Sequence, residues 1–315
     1  MGVPLPMNQP LSRFLTLVAL AVLAAANLAT PARAASSLSE QLVQKIAEAR
    51  RAEYHRDYDG ALAVYQAAIN MDRSTPQAMR TVLKYRADLF EQLKLFDNAE
   101  SDLSEAARIV PKDATAYGDR GFFYMRRGRF HAALDDFVTG SRLDPQNPLY
   151  MYAAARSLVA MDDFAGAVAF YTEAINTGSN EAKHYLARAE AYVRLARWPE
   201  AVADYERAER LGLASRADNY FVHAGRGYVA LVMHDYPLAV QHLDEALAID
   251  PDAVNVRMWR GYAHERGGSY EAALRDYEHA AKFDPDDVSV REANARMRTA
   301  VRELPGRQER RQLRW

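Results

Sequence analysis

Residues 114–147 read ATAYGDRGFFYMRRGRFHAALDDFVTGSRLDPQN. In the second half of this stretch Phe130, Ala133, Phe137 and Gly140 follow one another at steps of three, four and three. Those steps place all four on one face of a helix. Twelve residues before Ala133 stands Gly121, inside a second run of helical periodicity. The stretch therefore reads as two helices that approach closely where Gly121 offers no side chain, with an aromatic from the partner helix filling the space that remains.

The same pattern recurs along the chain. Aromatics stand at Tyr58, Phe96, Phe130, Phe164, Trp198, Tyr236 and Tyr270, spaced by 34 or 38 residues. Three residues after each comes an alanine: Ala61, Ala99, Ala133, Ala167, Ala201, Ala239 and Ala273. Four further on is a large residue, at Tyr65, Leu103, Phe137, Tyr171, Tyr205, Leu243 and Tyr277. Three beyond that is a small one, at Ala68, Ala106, Gly140, Ala174, Ala208, Ala246 and Ala280. Upstream, the counterparts of Gly121 are Ala49, Ala87, Ala155, Ala189, Gly227 and Gly261. A fixed period of this length is the mark of stacked supersecondary units. Breakers agree: Asp144-Pro145, Asp250-Pro251 and Asp284-Pro285 close second helices, and Asn147-Pro148 reads as an N-cap followed by the first helical residue. Ser37-Leu38-Ser39-Glu40 has the form of a capping box. Four extra residues near 74–77 and again near 214–217 break the 34-residue step, and each set is enough for one more helical turn or a longer loop.

This pattern resembles the tetratricopeptide repeat (TPR) family. Tyr117, Gly121, Tyr124, Phe130, Ala133, Phe137 and Pro145 of the third copy fall on the family's signature phases. Copies one, four and five depart from it at the terminal proline, with Arg73, Ser179 and Leu213. The resemblance implies an all-α, right-handed helix-turn-helix solenoid over residues 35–287. Its copies lie at about 42–75, 80–113, 114–147, 148–181, 182–215, 220–253 and 254–287. Residues 288–304 lack the signature and read as a helix capping the last repeat, because the end of a solenoid exposes an apolar face. Residues 305–315 form a basic tail; from 288 onward there are eight arginines against three glutamates. That tail is a candidate contact for an anionic or membrane surface.

The start of the chain has a different character. Arg13 precedes the apolar run Phe14–Leu28, and Ala32-Arg33-Ala34 follows. A positive residue, a short apolar core and a small-x-small site describe a secretory signal over residues 1–34, with periplasmic or other extracytoplasmic delivery of the rest. An uncleaved anchor is the alternative, although the run is shorter than the roughly 20 residues a spanning helix needs. The chain has no cysteine, which excludes thiol catalysis, disulfides and cysteine-bound zinc. A formal net charge of −2 over 315 residues does not fit a general nucleic-acid binder.

Few motifs carry chemistry. Gly225-Arg226-Gly227-Tyr228-Val229-Ala230 imitates a dinucleotide fingerprint, but it lies within a helix, without the strand that aims such glycines at a phosphate. The eight histidines are scattered; His223 and His264 can approach each other across neighbouring repeats, and packing roles rather than a metal pair account for them. The Asp135-Asp136, Asp162-Asp163 and Asp286-Asp287 pairs sit side by side in sequence, where helical neighbours point apart. No enzyme activity, cofactor or metal is expected.

The resemblance implies a ligand groove lined by the first helix of each repeat. It assigns Tyr85, Phe122, Arg126, Tyr152, Arg156, Arg194, Phe221, Tyr228, Trp259, Tyr262 and Arg266 to that groove. Aromatics and arginine are the residues enriched at binding hot spots. The same phases also serve packing between repeats. The implied function is a non-enzymatic protein- or peptide-binding scaffold or adaptor of the cell envelope. A glycan-binding accessory factor of wall metabolism and a subunit of an envelope assembly or secretion complex are the alternatives. The signal reading makes a direct prediction: the intact mass of the protein from an exporting host corresponds to a chain beginning at Ala35, and a membrane-bound species retaining residues 1–34 would refute it.

Overall fold

The computed structural model describes residues 32–71, 75–178 and 180–303, with side chains from Glu40 onward. The expected signal segment up to residue 31, Arg73, Ser179 and the basic tail lie outside the described residues. The chain divides into two compact units, Met1–Pro145 and Gln146–Trp315. Among the described residues every regular element is a helix, and no helix is long and apolar enough to cross a membrane.

The first unit holds three helix pairs: α1 (Ala32–Tyr54) with α2 (Tyr58–Ile69), α3 (Pro76–Gln92) with α4 (Phe96–Ile109), and α5 (Ala114–Arg126) with α6 (Phe130–Leu143). The second unit holds four: α7 (Pro148–Ala160) with α8 (Phe164–Asn176), α9 (Ala182–Arg194) with α10 (Trp198–Leu211), α11 (Arg216–Val232) with α12 (Tyr236–Ile249), and α13 (Val254–Arg266) with α14 (Tyr270–Phe283). A last helix, α15 (Val288–Glu303), packs on α14. All seven second helices begin at the periodic aromatic.

The small–large code closes each pair. Every residue of the alanine, large, small and upstream small sets is buried, Ala61, Tyr65, Phe137 and Ala174 to 0% exposure, whereas the periodic aromatics are only half-buried. A Cβ placed on Gly121 would lie 2.8 Å from the Phe137 ring, and one on Gly261 would lie 2.6 Å from the Tyr277 ring. The helices thus stand closer than two side chains would permit, and the aromatic recovers the dispersion contacts.

The turn inside each pair is as regular. Two residues before each periodic aromatic the backbone is left-handed: Arg56, Lys94, Asp162, Ala196 and His234, with Gly128 and Gly268 at the same place. A left-handed residue there reverses the chain within about three residues. Glycine adopts it freely, whereas the other five types pay a steric cost. Asp57, Asp163 and Asp235 then cap the second helices, each accepting a hydrogen bond from the backbone N–H three residues on.

The two four-residue insertions lengthen first helices, not loops. α3 and α11 each have 17 residues, whereas α5, α7, α9 and α13 have 13. α11 opens on a reciprocal capping box between Ser215 and Asp218. Asn147 caps α7 ahead of Pro148 as expected. Ser37 does not stand at a helix start as expected: α1 is already helical from Ala32, which puts Ser37 inside the helix.

A second periodic element was not anticipated. Arg86, Arg120, Arg188 and Arg260 on first helices each donate two hydrogen bonds to the aspartate sixteen residues later, Asp102, Asp136, Asp204 and Asp276. For Arg188 the distances are 2.7 and 2.8 Å, and the Asp204 side chain is 8% exposed. The planar fork of arginine matches both carboxylate oxygens. Burial pushes the Asp102 and Asp136 carboxyls up, opposed by their arginines.

The cap behaves as expected. Val290, Ala293, Met297 and Val301 form the buried stripe of α15, and Ala293 and Met297 join Ala273 and Tyr277 in one core. Arg296 donates to both oxygens of Glu265 at 2.8 and 2.9 Å, and Tyr277 donates to the same carboxylate at 2.9 Å.

Arg188→Met strands the buried Asp204 charge and should cost roughly 3–5 kcal/mol, most of which the added Asp204→Leu should recover. Urea unfolding midpoints at constant slope measure both. Equal losses in the single and double variants would show that the pair does not hold α9 to α10.

Candidate functional site

The first helices within each unit set the candidate groove. In the second unit α9 touches α11 and α11 touches α13, so their side chains form one connected surface. The expected residues of this unit are not equivalent. Trp259 is half-buried against the core that includes Ala224, Val256 and Ala263. Tyr228 of the neighbouring first helix meets it, ring centroids 5.0 Å apart and planes tilted by 49°. Trp198, at the start of α10, approaches Tyr228 edge-on at 6.4 Å. Three aromatics from three helices thus make one cluster.

Beside that cluster the surface is open. Phe221 is 49% exposed and Tyr262 is 42% exposed. Phe221 contacts Tyr220 edge-on at 5.4 Å. Two large rings left in water on the same face as Trp259 keep apolar area available to a ligand. Leu149, at the corresponding phase of α7, is also exposed.

Tyr152 belongs to a second cluster. Its ring lies 5.5 Å from Tyr171 and 4.7 Å from the buried His184 on the next first helix. Lys183 stands over the same ring at 5.7 Å. Burial raises the Tyr152 hydroxyl and lowers His184, so both stay neutral around neutral pH. Four residues on from Tyr152, Arg156 is exposed and forms no hydrogen bond or ion pair among the described residues.

The other arginines are partly occupied. Arg194 lies over Phe164 at 4.2 Å and reaches Asp162 at 3.7 Å. Arg266 donates to the Tyr236 hydroxyl at 3.3 Å. Both remain exposed.

The expected residues of the first unit are engaged by the protein itself. Tyr85 packs on the core of the first helix pair, under Arg50 at 5.6 Å. Phe122 meets Phe137 at 4.9 Å. Arg126 donates to both oxygens of Glu91 at 2.7 and 2.6 Å.

Glu190 escaped the sequence reading, which sought aromatics and arginines at the groove phases. It occupies on α9 the phase that Arg156 occupies on α7. Its side chain keeps contact with solvent, yet surrounding protein pushes its carboxyl above the usual range, and no partner among the described residues offsets this. The phase alone was the signal that could have found it. The histidine expectation also changes: His223 lies beside His242, ring centroids 6.0 Å apart. His264 is not part of that pair; burial lowers its imidazole, with the charges of Asp276 and Arg260 acting in opposite senses.

A tetratricopeptide repeat family model matches residues 46–114, 124–182 and 225–288, more than half of the chain. The chain belongs to the tetratricopeptide repeat family. Proteins of this family are generally protein-binding scaffolds. Over 111 residues the chain is 30% identical to small glutamine-rich tetratricopeptide repeat-containing protein 2 of Mycosarcoma maydis, covering 35% of this chain and 30% of that relative. The chain thus spans less than a third of that curated relative's length. Among solved structures, the C-terminal part of a TPR repeat-containing protein from Cytophaga hutchinsonii aligns with TM-score 0.61 at 12% identity, over 78% of this chain and 97% of that one. YrrB, described as a TPR protein with an unusual peptide-binding site, aligns with TM-score 0.54 at 16% identity, over 61% of this chain and 97% of its own. At these identities the two structures share the TPR fold with this chain.

The raised Glu190 carboxyl has a consequence for stability. A carboxyl whose folded pKa lies above its unfolded value favours folding below the unfolded pKa and loses that contribution as pH rises through the folded one. Relative to Glu190→Gln, the parent protein should therefore lose stability between about pH 4 and about pH 7. Denaturant midpoints at the two pH values measure it, and an unchanged difference would refute the reading.

Proposed function

We propose that the chain is an exported, non-enzymatic adaptor whose second unit holds an extended acidic peptide segment of a partner protein. The observation that carries this is the Tyr228–Trp259 contact across adjacent first helices, with Phe221 and Tyr262 exposed on the same helices. An aromatic platform with open rings beside it offers a hydrophobic anchor at the scale of one or two side chains. Arg156, Arg194 and Arg266 supply exposed positive charge on the first helices of the same unit, which favours an acidic ligand. YrrB lends support as a protein of the same fold with a peptide-binding site. Export rests on the Phe14–Leu28 apolar run and the Ala32-Arg33-Ala34 site.

Tyr85, Phe122 and Arg126 play a lesser part in this reading, because their own protein already engages them. Tyr152 contributes the wall beneath Lys183. The Arg-rich tail remains a candidate contact with an anionic or membrane surface.

An arrayed library of extended peptides, screened against the full chain, tests the proposal. Selected peptides should be acidic and should contain an apolar anchor residue. Trp259→Ala should weaken their binding about thirtyfold, the loss that follows from removing a desolvated aromatic worth roughly 2 kcal/mol. Arg156→Glu should weaken the acidic peptides further. With Trp198 and Trp315 replaced by phenylalanine, the emission of Trp259 should shift on binding. Selected peptides that bind Trp259→Ala as tightly as the parent and leave this emission unchanged would refute the assignment.

A further inference from the structure

The sixth helix pair departs from the Arg–Asp rule described above. At the place of Asp102, Asp136, Asp204 and Asp276 it has His242. Its arginine, Arg226, is still present but has turned away, donating to Glu209 at 2.6 Å and approaching Glu206 at 3.8 Å. The slot that elsewhere holds a guanidinium against a carboxylate therefore holds two imidazoles, His242 of α12 and His223 of α11, stacked with their planes 24° apart. Glu245, one turn beyond His242, completes the group.

The donor atoms converge. Glu245 Oε2 lies 2.8 Å from His223 Nδ1 and 3.1 Å from His242 Nδ1. One ligand atom from each of the three residues lies within 4.8 Å of the other two. The short His223 contact is not aligned as a hydrogen bond, so the buried His223 Nδ1 has no hydrogen-bond partner. A buried polar atom aimed at a carboxylate without bonding to it calls for a water or an ion. The His223 and His242 side chains are 16% and 6% exposed, whereas Glu245 is 43% exposed. The two nitrogens are thus held by packing, and the carboxylate is free to adjust.

We propose that His223 Nδ1, His242 Nδ1 and Glu245 Oε2 bind one divalent late transition-metal ion, with zinc the expected occupant. Two imidazoles and one carboxylate suit zinc, nickel, cobalt or copper, and do not suit calcium or magnesium, which take oxygen sets. Metal–nitrogen and metal–oxygen bonds of about 2.0–2.2 Å put ligand atoms roughly 3–4 Å apart in a tetrahedron. Small rotations of the Glu245 side chain bring the present spacing into that range. The fourth position faces the side on which Glu245 is exposed, open to water. The ion ties α11 to α12, doing in this pair what the Arg–Asp bridge does in four others. The Arg226 charge is taken up by Glu209, which lowers its opposition to a cation at this place.

Equilibrium dialysis of the full chain, free of any histidine tag, against zinc sulfate tests the proposal. One zinc per chain is expected. His223→Gln and Glu245→Gln should each weaken binding at least tenfold, and His279→Gln, far along the chain, should leave it unchanged. Helical circular dichroism of the metal-free variants checks that each is folded. If His242→Gln does not fold, the two more exposed ligands still decide the matter. Cobalt substitution should give an absorption spectrum of a site with nitrogen and oxygen ligands in the parent protein, absent from His223→Gln. Excess calcium should not displace the zinc. No zinc bound at about a hundred micromolar, or equal binding by the parent, His223→Gln and Glu245→Gln, would overturn the proposal.

Discussion

Everything in this molecule depends on how closely two helices of a pair approach. A first helix offers a residue with little or no side chain, and the second helix presses a large one against it. At Gly121 and Phe137 the fit leaves no room for even a Cβ. That contact sets the distance between the helices. The distance in turn brings Arg120 within reach of Asp136 with two bonds. Apolar packing supplies most of the stabilisation, at about 1.5–3 kcal/mol for each large buried side chain. The buried ion pair adds less net energy because both charges must leave water. Its two-point geometry does restrict how the helices can slide past each other.

The pair that lacks this bridge is informative. Where Asp is replaced by His242, the freed arginine finds surface glutamates and the gap between the helices is left with two imidazoles, beside the exposed Glu245 carboxylate. The chain keeps the small–large contact there, since a Cβ on Gly227 would lie 2.6 Å from Leu243. Packing is thus sufficient to hold the pair together, and the polar position within it is free to take up another chemistry.

The first-helix surfaces follow the same division between packing and openness. Trp259 and Tyr228 serve both: their contact joins the sixth and seventh helix pairs, and both stay partly exposed on first helices that also carry exposed Phe221 and Tyr262. Phe122 and Arg126 illustrate the other outcome, in which a residue at a groove phase is consumed by Phe137 or Glu91. A repeat phase specifies the face of a helix, not whether a neighbour has already claimed the side chain.

The repeat number, the start of every second helix, the buried small–large sets and the cap on the last pair were all legible in the residues alone. Each rests on a local period of three to four residues reinforced every 34 or 38, and such periodicity survives without knowledge of distant contacts. The four-residue insertions were legible as insertions, but only the structure shows that they lengthen α3 and α11. The Arg–Asp bridges span sixteen residues and join two helices, so no single helical face displays them. The raised carboxyl of Glu190 and the meeting of His223 with His242, in place of His264, depend on which groups come together once helices pack. Backbone periodicity is a property of one helix at a time and can be read along the chain; side-chain partnership is a property of the gap between helices, and that gap exists only when the tertiary structure has formed.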